Sequence, residues 1–493
     1  MPFSDLLFLF GFLPILFLLY YIFPHSGWRR GVLTVFSLFF YAFGEPLYVF
    51  LMMGMVLADW GFGLAIDKSA SQGRKKLWLT LAVVSNLGVL VFYKYLGFLL
   101  TTVNTIFNVT LPVVSFAMPI GISFFTFQTM SYVIDLYRGD TPVQRSYPRL
   151  LLYVSLFPQL IAGPIVRYKD IEDQLDDRTV DIALLSDGAF RFAVGLAKKI
   201  WIADHCGEAV TMLYSLSDVT VGGRWLGAVF YTLQLYFDFS GYSDMAIGLG
   251  KMFGFRFLEN FNYPLISGSV TEFWRRWHMS LGTFFRDSVY IPLGGTRHDQ
   301  MRNIFVVWFL TGLWHGASWN FILWGLFYGV LLTWEKSSFL PFLKRRPDEN
   351  WPECPPVLVY LSRAGKWIVS HVYTIFVTVV GFVIFYFDHD LLKNLGYLIG
   401  IGTTGLTDMY TTSVFYEHLW LLAASCVLAC PVAPALGRLI ERGTMRIETA
   451  AGKEGVSYGI LRVSKTVLIL AQLAVCTVMM AGNTYSAFLY FRF

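Results

Sequence analysis

Charge is what this sequence has least of. Asp, Glu, Lys and Arg make up 14% of its 493 residues, against about 25% in a soluble domain. That is too little to coat a water-facing surface, and a hydrophobic share of 56% points the same way. Lipid is the solvent this composition implies. Cysteine is also scarce, with five in all, none at a metal-ligand or disulfide spacing. Cys426 and Cys430 stand inside an apolar run, where thiols more often pack than carry redox chemistry. The chain has no Walker-A lysine loop, no H-E-x-x-H and no G-x-G-x-x-G; Gly248, Gly250 and Gly254 have the wrong spacing for a dinucleotide loop. No metal site is expected, and a net charge of +5 leaves no nucleic-acid footprint. The apolar segment 6–23 has no basic stretch before it and no small-residue cleavage site, so it is expected to stay as a span. Long linkers and internal repeats are missing too. One membrane-embedded domain, 1–493, is expected, without the paired halves common in transporters.

What the sequence has is apolar length. Stretches able to cross roughly 30 Å of hydrocarbon fall at 6–23, 31–47, 48–66, 77–100, 225–250, 303–334, 357–387, 413–436 and 464–482. Shorter or interrupted ones lie at 113–137, 150–165 and 189–215. The expected fold is all-α and polytopic, with roughly ten or more transmembrane helices plus re-entrant or interfacial ones. The 46 Phe suit a lipid-facing surface, while the 27 Tyr and 15 Trp suit its two interfaces. Basic residues set the orientation. Loops 24–30, 67–76 and 138–149 carry Lys or Arg, whereas 44–47 and 101–112 carry neither. The positive-inside rule then puts the N-terminus outside and the basic loops in the cytoplasm. The same alternation puts 335–356 and 438–463 inside; it does not settle 150–300.

The segment 303–334 would form a straight helix of about 48 Å, longer than the hydrocarbon is thick. At its centre stands Thr311-Gly-Leu-Trp314-His315-Gly316-Ala-Ser318-Trp-Asn320. Two glycines bracket a histidine at membrane depth, where irregular backbone is tolerated only inside protein or along a wet cavity. An ionisable group there marks a functional site by default, although a packing histidine in a kinked helix would read alike. Upstream, 256–302 is too charged to span and too aromatic for an open loop. It holds Glu272-Phe-Trp-Arg275-Arg276-Trp277-His278-Met-Ser280, which fits an interfacial or re-entrant helix. Its arginines either snorkel to headgroups or meet the phosphates of a donor. Asp238 and Asp244 put acids in the apolar 225–250, where unpaired carboxylates are costly. They are expected to be structural, paired with Arg275 or Arg286. Gln128 and Asp135 pose the same question.

At this point the sequence resembles the membrane-bound O-acyltransferase (MBOAT) family, and within it the bacterial branch of alginate O-acetyltransferase membrane subunits. The likeness rests on Ser123-Phe-Phe-Thr-Phe-Gln128, Phe157-Pro-Gln-Leu-Ile-Ala-Gly163-Pro164, Asp238-Phe-Ser-Gly-Tyr-Ser-Asp244, Phe273-Trp-Arg-Arg-Trp277-His278-Met-Ser-Leu, Leu313-Trp-His315-Gly-Ala-Ser-Trp-Asn320 and Phe488-Leu-Tyr-Phe-Arg-Phe493. Trp-His-Gly alone would be weak; these motifs in order span almost the whole chain. Ala487 departs from an expected proline, with little bearing on chemistry.

The resemblance implies helices around a central funnel, with the site deep in the membrane. It maps the family histidine onto His315 and a second polar position onto His278. Trp314, Ser318, Asn320, Arg275, Arg276, Trp277 and Gln128 are candidates for binding substrate or lining the site. No cofactor is expected to stay bound. Acetyl-CoA in the cytoplasm is the implied donor, with a periplasmic acetyltransferase partner or a polysaccharide as receiver across a bacterial inner membrane. The residues agree with such chemistry. A thioester is already activated, so the catalyst must deprotonate a hydroxyl and stabilise an oxyanion. Imidazole suits the first task; His278, Asn320 or a backbone N–H suits the second, and a transient acetyl-histidine is an alternative route. Alginate leads among acceptors, followed by peptidoglycan. Teichoic-acid D-alanylation, with an acyl-carrier protein as donor, is third. A transporter or a silent scaffold for a periplasmic enzyme are the rivals of another class.

Overall fold

A computed structural model describes residues 1–114, 116–176, 178–344, 356–451 and 456–482. The terminal motif 488–493 with Ala487, most of the loop 344–356 and part of 438–463 lie outside the described residues. Among those described the regular structure is helical, apart from one isolated parallel bridge between Thr220 and Gly405. Along the chain run α1 (Leu13–Ile22), α2 (Ser26–Gly44), α3 (Tyr48–Lys68), α4 (Gln72–Leu90), α5 (Leu96–Phe107), α6 (Ile122–Arg138), α7 (Tyr147–Ser155) and α8 (Ile182–Ala197). Then come α9 (Asp204–Tyr214), α10 (Val221–Met252), α11 (Val270–Arg276), α12 (Met279–Phe285), α13 (Gln300–His315), α14 (Trp319–Trp334), α15 (Pro356–Tyr386) and α16 (Leu391–Leu398). Four more follow, α17 (Met409–Glu417), α18 (Leu419–Leu428), α19 (Val432–Ala451) and α20 (Val456–Gly482).

Four helical stretches among the described residues are long and apolar enough to cross a membrane: Tyr48–Lys68, Gln72–Phe107, Val359–Tyr386 and Val463–Gly482. A fifth is added if Leu419–Leu428 and Val432–Ile440, bent by 63°, count as one. This is fewer than the roughly ten read from apolar runs alone, and the reasons are local. The first run contains a π-helical turn, Phe8–Phe12, and its helical part Phe8–Ile22 is short. Helix α10 is long enough but carries Arg224, Asp238, Asp244 and Lys251. The run 303–334 is not one helix; α13 and α14 are separate, each of 16 residues, about 24 Å at 1.5 Å per residue.

The chain forms two compact units, one of Met1–Ile200, Phe239–Glu259 and the chain from Leu468, the other of Trp201–Asp238 and Asn260–Val467. In the first, Phe3, Phe8, Phe12, Phe40 and Phe157 form an aromatic core. Helices α3, α4 and α6 share a buried polar chain. The Asn86 amide donates to both Asp59 oxygens (2.9 and 2.8 Å), and the Thr129 hydroxyl donates to Asn86 Oδ1 (3.0 Å). Gly188 and Gly195 on α8 meet Gly248 and Gly241 on α10 backbone to backbone, as small residues allow when lipid supplies no hydrophobic drive. In the second unit, α13 and α14 fold back on each other as an antiparallel hairpin. Added Cβ atoms at Gly312 and Gly325 would strike the carbonyls of Phe321 and Trp308, and one at Gly316 would enter the Phe321 ring. The glycines around His315 therefore let two helices touch and turn; His315 sits at the hairpin tip.

Candidate active site

Residues 260–262 run beside the junction of α11 and α12: Met279 N–H donates to Asn260 O and Asn262 N–H to Arg276 O, both at 2.9 Å. The junction residue is His278, with φ of 45°, a left-handed conformation uncommon outside glycine and often found where function holds a residue in place. Its side chain is buried, with Nδ1 3.1 Å from Asn260 Oδ1. The same Oδ1 accepts from the Ser280 backbone N–H (3.2 Å) and hydroxyl (2.9 Å). A backbone N–H only donates, so it fixes this Asn260 atom as the oxygen. An oxygen acceptor in turn makes His278 Nδ1 the protonated nitrogen of the neutral ring, leaving the lone pair on Nε2. His278 lies outside the spanning helices, and burial pushes its pKa well below the usual imidazole range, so the ring is neutral.

His278 and His315 line one cavity of about 270 Å³ in the second unit. Trp274, Trp277 and Trp308 form apolar wall, and Arg275, Arg286 and Lys336 bring cations to it. Lys336, in the turn after α14, is held below its ordinary pKa, first by burial and then by the charge of Arg275. His315 is half-buried, its ring edge-on to Trp324 (5.0 Å) and Phe385 (5.1 Å). It ends α13, where the last carbonyls favour a cation. His278 occupies the N-cap position of α12 without capping it through its side chain, and there the helix field disfavours a cation. The two imidazoles thus have opposite electrostatic settings.

The other expected site residues divide. Arg275 and Trp277 line the cavity, but Arg276 does not: it pairs with Glu272 (2.8 Å) and donates to Asn262 O (3.2 Å). Neighbours on a helix face different ways. Trp314 is buried against both rings, 5.9 Å from His278 and 4.9 Å from His315. The Asn320 amide nitrogen donates to the carbonyls of Phe385 (2.9 Å) and Ile384 (3.4 Å), tying the hairpin tip to α15. Ser318 precedes α14 without capping it through its side chain. The positive end of that helix begins at Trp319, after the turn 316–318 that follows His315. Gln128 is buried in the first unit, where its backbone carbonyl accepts from Ser131 (2.8 Å) and Tyr153 (3.3 Å).

Asp238 is buried. Asp244 pairs not with Arg275 or Arg286, as expected, but with Arg191 (2.8 Å) and Lys198 (2.6 Å), and Arg191 also holds Glu259. The first-unit cations come from α8 and its π-helical continuation, whose amphipathic run masked them as partners. Sequence reasoning also passed over Asn260, Ser280 and Lys336 as site residues. Asn260 had a signal, a polar residue in a stretch too charged to span and too aromatic for an open loop; Lys336 had only its place at the end of an apolar run.

A family model for MBOAT, the membrane-bound O-acyltransferase family, matches residues 141–379, which include both histidines. The chain is similar to a probable alginate O-acetylase of Pseudomonas putida, 38% identical over the full length of both. It is 37% identical to a peptidoglycan O-acetyltransferase of Helicobacter pylori, over 67% of this chain and 69% of that protein. A teichoic acid D-alanyltransferase of Bacillus subtilis is 32% identical over 43% of this chain and 58% of its own.

Proposed function

Because the chain belongs to the membrane-bound O-acyltransferase family, we propose that it moves an acetyl group from a cytoplasmic thioester, acetyl-CoA, to an extracytoplasmic polysaccharide such as alginate. A periplasmic acetyltransferase partner is part of this reading, as are roughly ten crossings around a funnel, one catalytic domain over 1–493 and a bacterial inner-membrane location. The observation that carries it is the pair of imidazoles on one cavity beside Arg275, Arg286 and Lys336. The cations suit the phosphates of the donor, and the tryptophan walls suit its apolar arm. Full-length similarity to an alginate O-acetylase favours alginate over peptidoglycan, and peptidoglycan over D-alanylation.

In this mechanism His315 is the base. Its place at a helix C-terminus stabilises the imidazolium it becomes. The acceptor oxygen attacks the thioester carbon while His315 takes the hydroxyl proton. The tetrahedral oxyanion faces the positive end of α14. Collapse breaks the carbon–sulfur bond, and the thiolate recovers the proton from His315. His278, kept neutral, accepts a substrate N–H or O–H through Nε2, a positioning task that its protonated form cannot perform. The test is transfer of labelled acetyl by purified protein with acceptor supplied; unchanged turnover in a folded His315→Ala protein defeats the mechanism. Orientation is tested apart. A cysteine placed at Gln72 should be labelled only from the cytoplasm and one at Thr105 only from outside, and the reverse pattern inverts the route.

A further inference from the structure

Arg224 stands in the first turn of α10 and is only 4% exposed. Its guanidinium lies over three rings, Tyr214 at 4.8 Å, Tyr397 at 5.2 Å and Phe387 at 5.5 Å. Among the described residues no carboxylate pairs with it, and its buried Nε has no acceptor; the buried hydroxyl of Tyr214 also has no partner. Gly227 keeps this arrangement, since a Cβ there would strike the Tyr214 ring. The nearby helix end is not the binding element. Val221 and Gly222 N–H already donate to Gly405 O (3.1 Å) and Leu406 O (2.7 Å), and Gly223 N–H to Thr220 Oγ1 (3.1 Å).

Arginine does not lose its proton in proteins, and a desolvated cation without an anion is costly. Aromatic faces offset part of that cost. They cover the guanidinium faces, however, and leave its edge donors, whose fork matches a carboxylate. All three rings are themselves half-buried, so the cage lies near the surface of its unit. A sugar presents a C–H face that packs on such rings; an aspartate or glutamate side chain has none. The cage is also joined to the catalytic tip. Phe387 faces Arg224 while Phe385, two residues earlier, meets His315 edge-on.

Resting on the acyl-transfer reading above, we propose that Arg224 and its ring cage form an acceptor subsite that takes the carboxylate of a uronate unit. The subsite holds an acidic polysaccharide so that a neighbouring unit presents its hydroxyl to His315. An acceptor held by charge and stacking is selected over a neutral chain of the same length.

The test is equilibrium binding of a short oligomannuronate to the purified full-length chain, beside its methyl ester and a neutral mannose oligomer of equal length. Wild type should bind the free acid about tenfold or more tightly than either control. Arg224→Gln should remove that preference, and Arg224→Lys, which keeps charge but not the fork, should keep only part of it. If Arg224→Gln fails to fold, Arg224→Lys carries the assignment to this residue, and the ester comparison, which needs no variant, can still overturn it. Equal binding of acid and ester, or an unaltered preference in folded Arg224→Gln, overturns the subsite. So does an acidic peptide that alone shows the Arg224 dependence. Labelled acetyl transfer by wild type to a supplied neutral hydroxyl acceptor reads the catalytic proposal separately: its absence defeats that mechanism, whereas uronate discrimination decides this one.

Discussion

The two units pair their charges differently. In the first, acids and bases close on one another: Asp244 holds Arg191 and Lys198, and Asp176 holds Arg30 (2.6 Å) and Arg149 (3.0 Å). In the second, Arg275 and Lys336 face a cavity, Arg286 on the same wall is paired with its neighbour Asp287 (2.7 Å), and Arg224 sits among rings with no acid beside it. A charge neutralised inside the protein contributes to the fold, because removing its partner strands it. A cation turned to open space instead awaits a negative ligand. An acid within a family motif therefore need not share the motif's chemistry. By this criterion we propose that Asp244, within a motif that the family resemblance singles out, serves the framework.

That contrast is broken most sharply at His315. His315→Ala should fold and enter the membrane as wild type does, yet lose acetyl transfer by about 10²–10⁴-fold, the usual weight of a general base. Labelled transfer measured beside a thermal melt checks both halves. Asp244→Asn should show the opposite profile. Leaving Arg191 and Lys198 short of their shared partner should cost about 3–5 kcal/mol, seen as lower yield and earlier thermal unfolding, with turnover per folded molecule kept. An Asp244→Asn protein that melts normally but is inactive would move this acid from framework to chemistry.

How much of this could be read from the sequence depended on range. Apolar length and the charge deficit gave the class, and six ordered motifs gave the family. His315 between its glycines marked the tip, because glycine beside an intramembrane histidine signals close helix contact or a break. Periodicity could not show that 303–334 doubles back, since two short helices and one long one have the same apolar composition. Nor could it distinguish Arg275 from Arg276; one residue of helical rotation sends one to the cavity and the other to Glu272. Asp244's partners lie on another helix, at a separation no local pattern encodes. The tautomer of His278 required the Ser280 N–H, a backbone atom no sequence motif names.

Asn260 sharpens the contrast within the second unit. If its oxygen only sets the His278 tautomer, Asn260→Asp should preserve all three accepted hydrogen bonds while adding a negative charge. That charge favours the imidazolium and raises the pKa of His278. Activity should then fall at the acidic end of the profile, where wild-type His278 is still neutral, and recover toward alkaline pH. Asn260→Leu should lower kcat about tenfold or more across the range, since the ring loses its orientation. A uniform loss in Asn260→Asp, with no pH shift, would reduce Asn260 to packing.

The smallest effect is expected at Glu335, an acid of the second unit that pairs with backbone rather than with a guanidinium. It is fully buried, and its carboxylate accepts from the N–H groups of Val270 (2.5 Å) and Thr271 (2.8 Å) and from the Thr271 hydroxyl (2.7 Å). Ser269 caps the same end through the Glu272 N–H (3.0 Å). Glu335 thus fixes from α14 the start of the short helix that carries Arg275 and leads into His278. Glu335→Gln keeps the shape and one acceptor oxygen but loses the charge facing a helix N-terminus. The expected cost is about 0.5–2 kcal/mol, the range for a lost cap, read as a modest fall in melting temperature. Because the cap orients α11 rather than touching substrate, KM for the thioester should rise while kcat stays near wild type. A large fall in kcat at unchanged stability would instead make this carboxylate part of the proton path, and the division between framework acids and site cations would no longer hold.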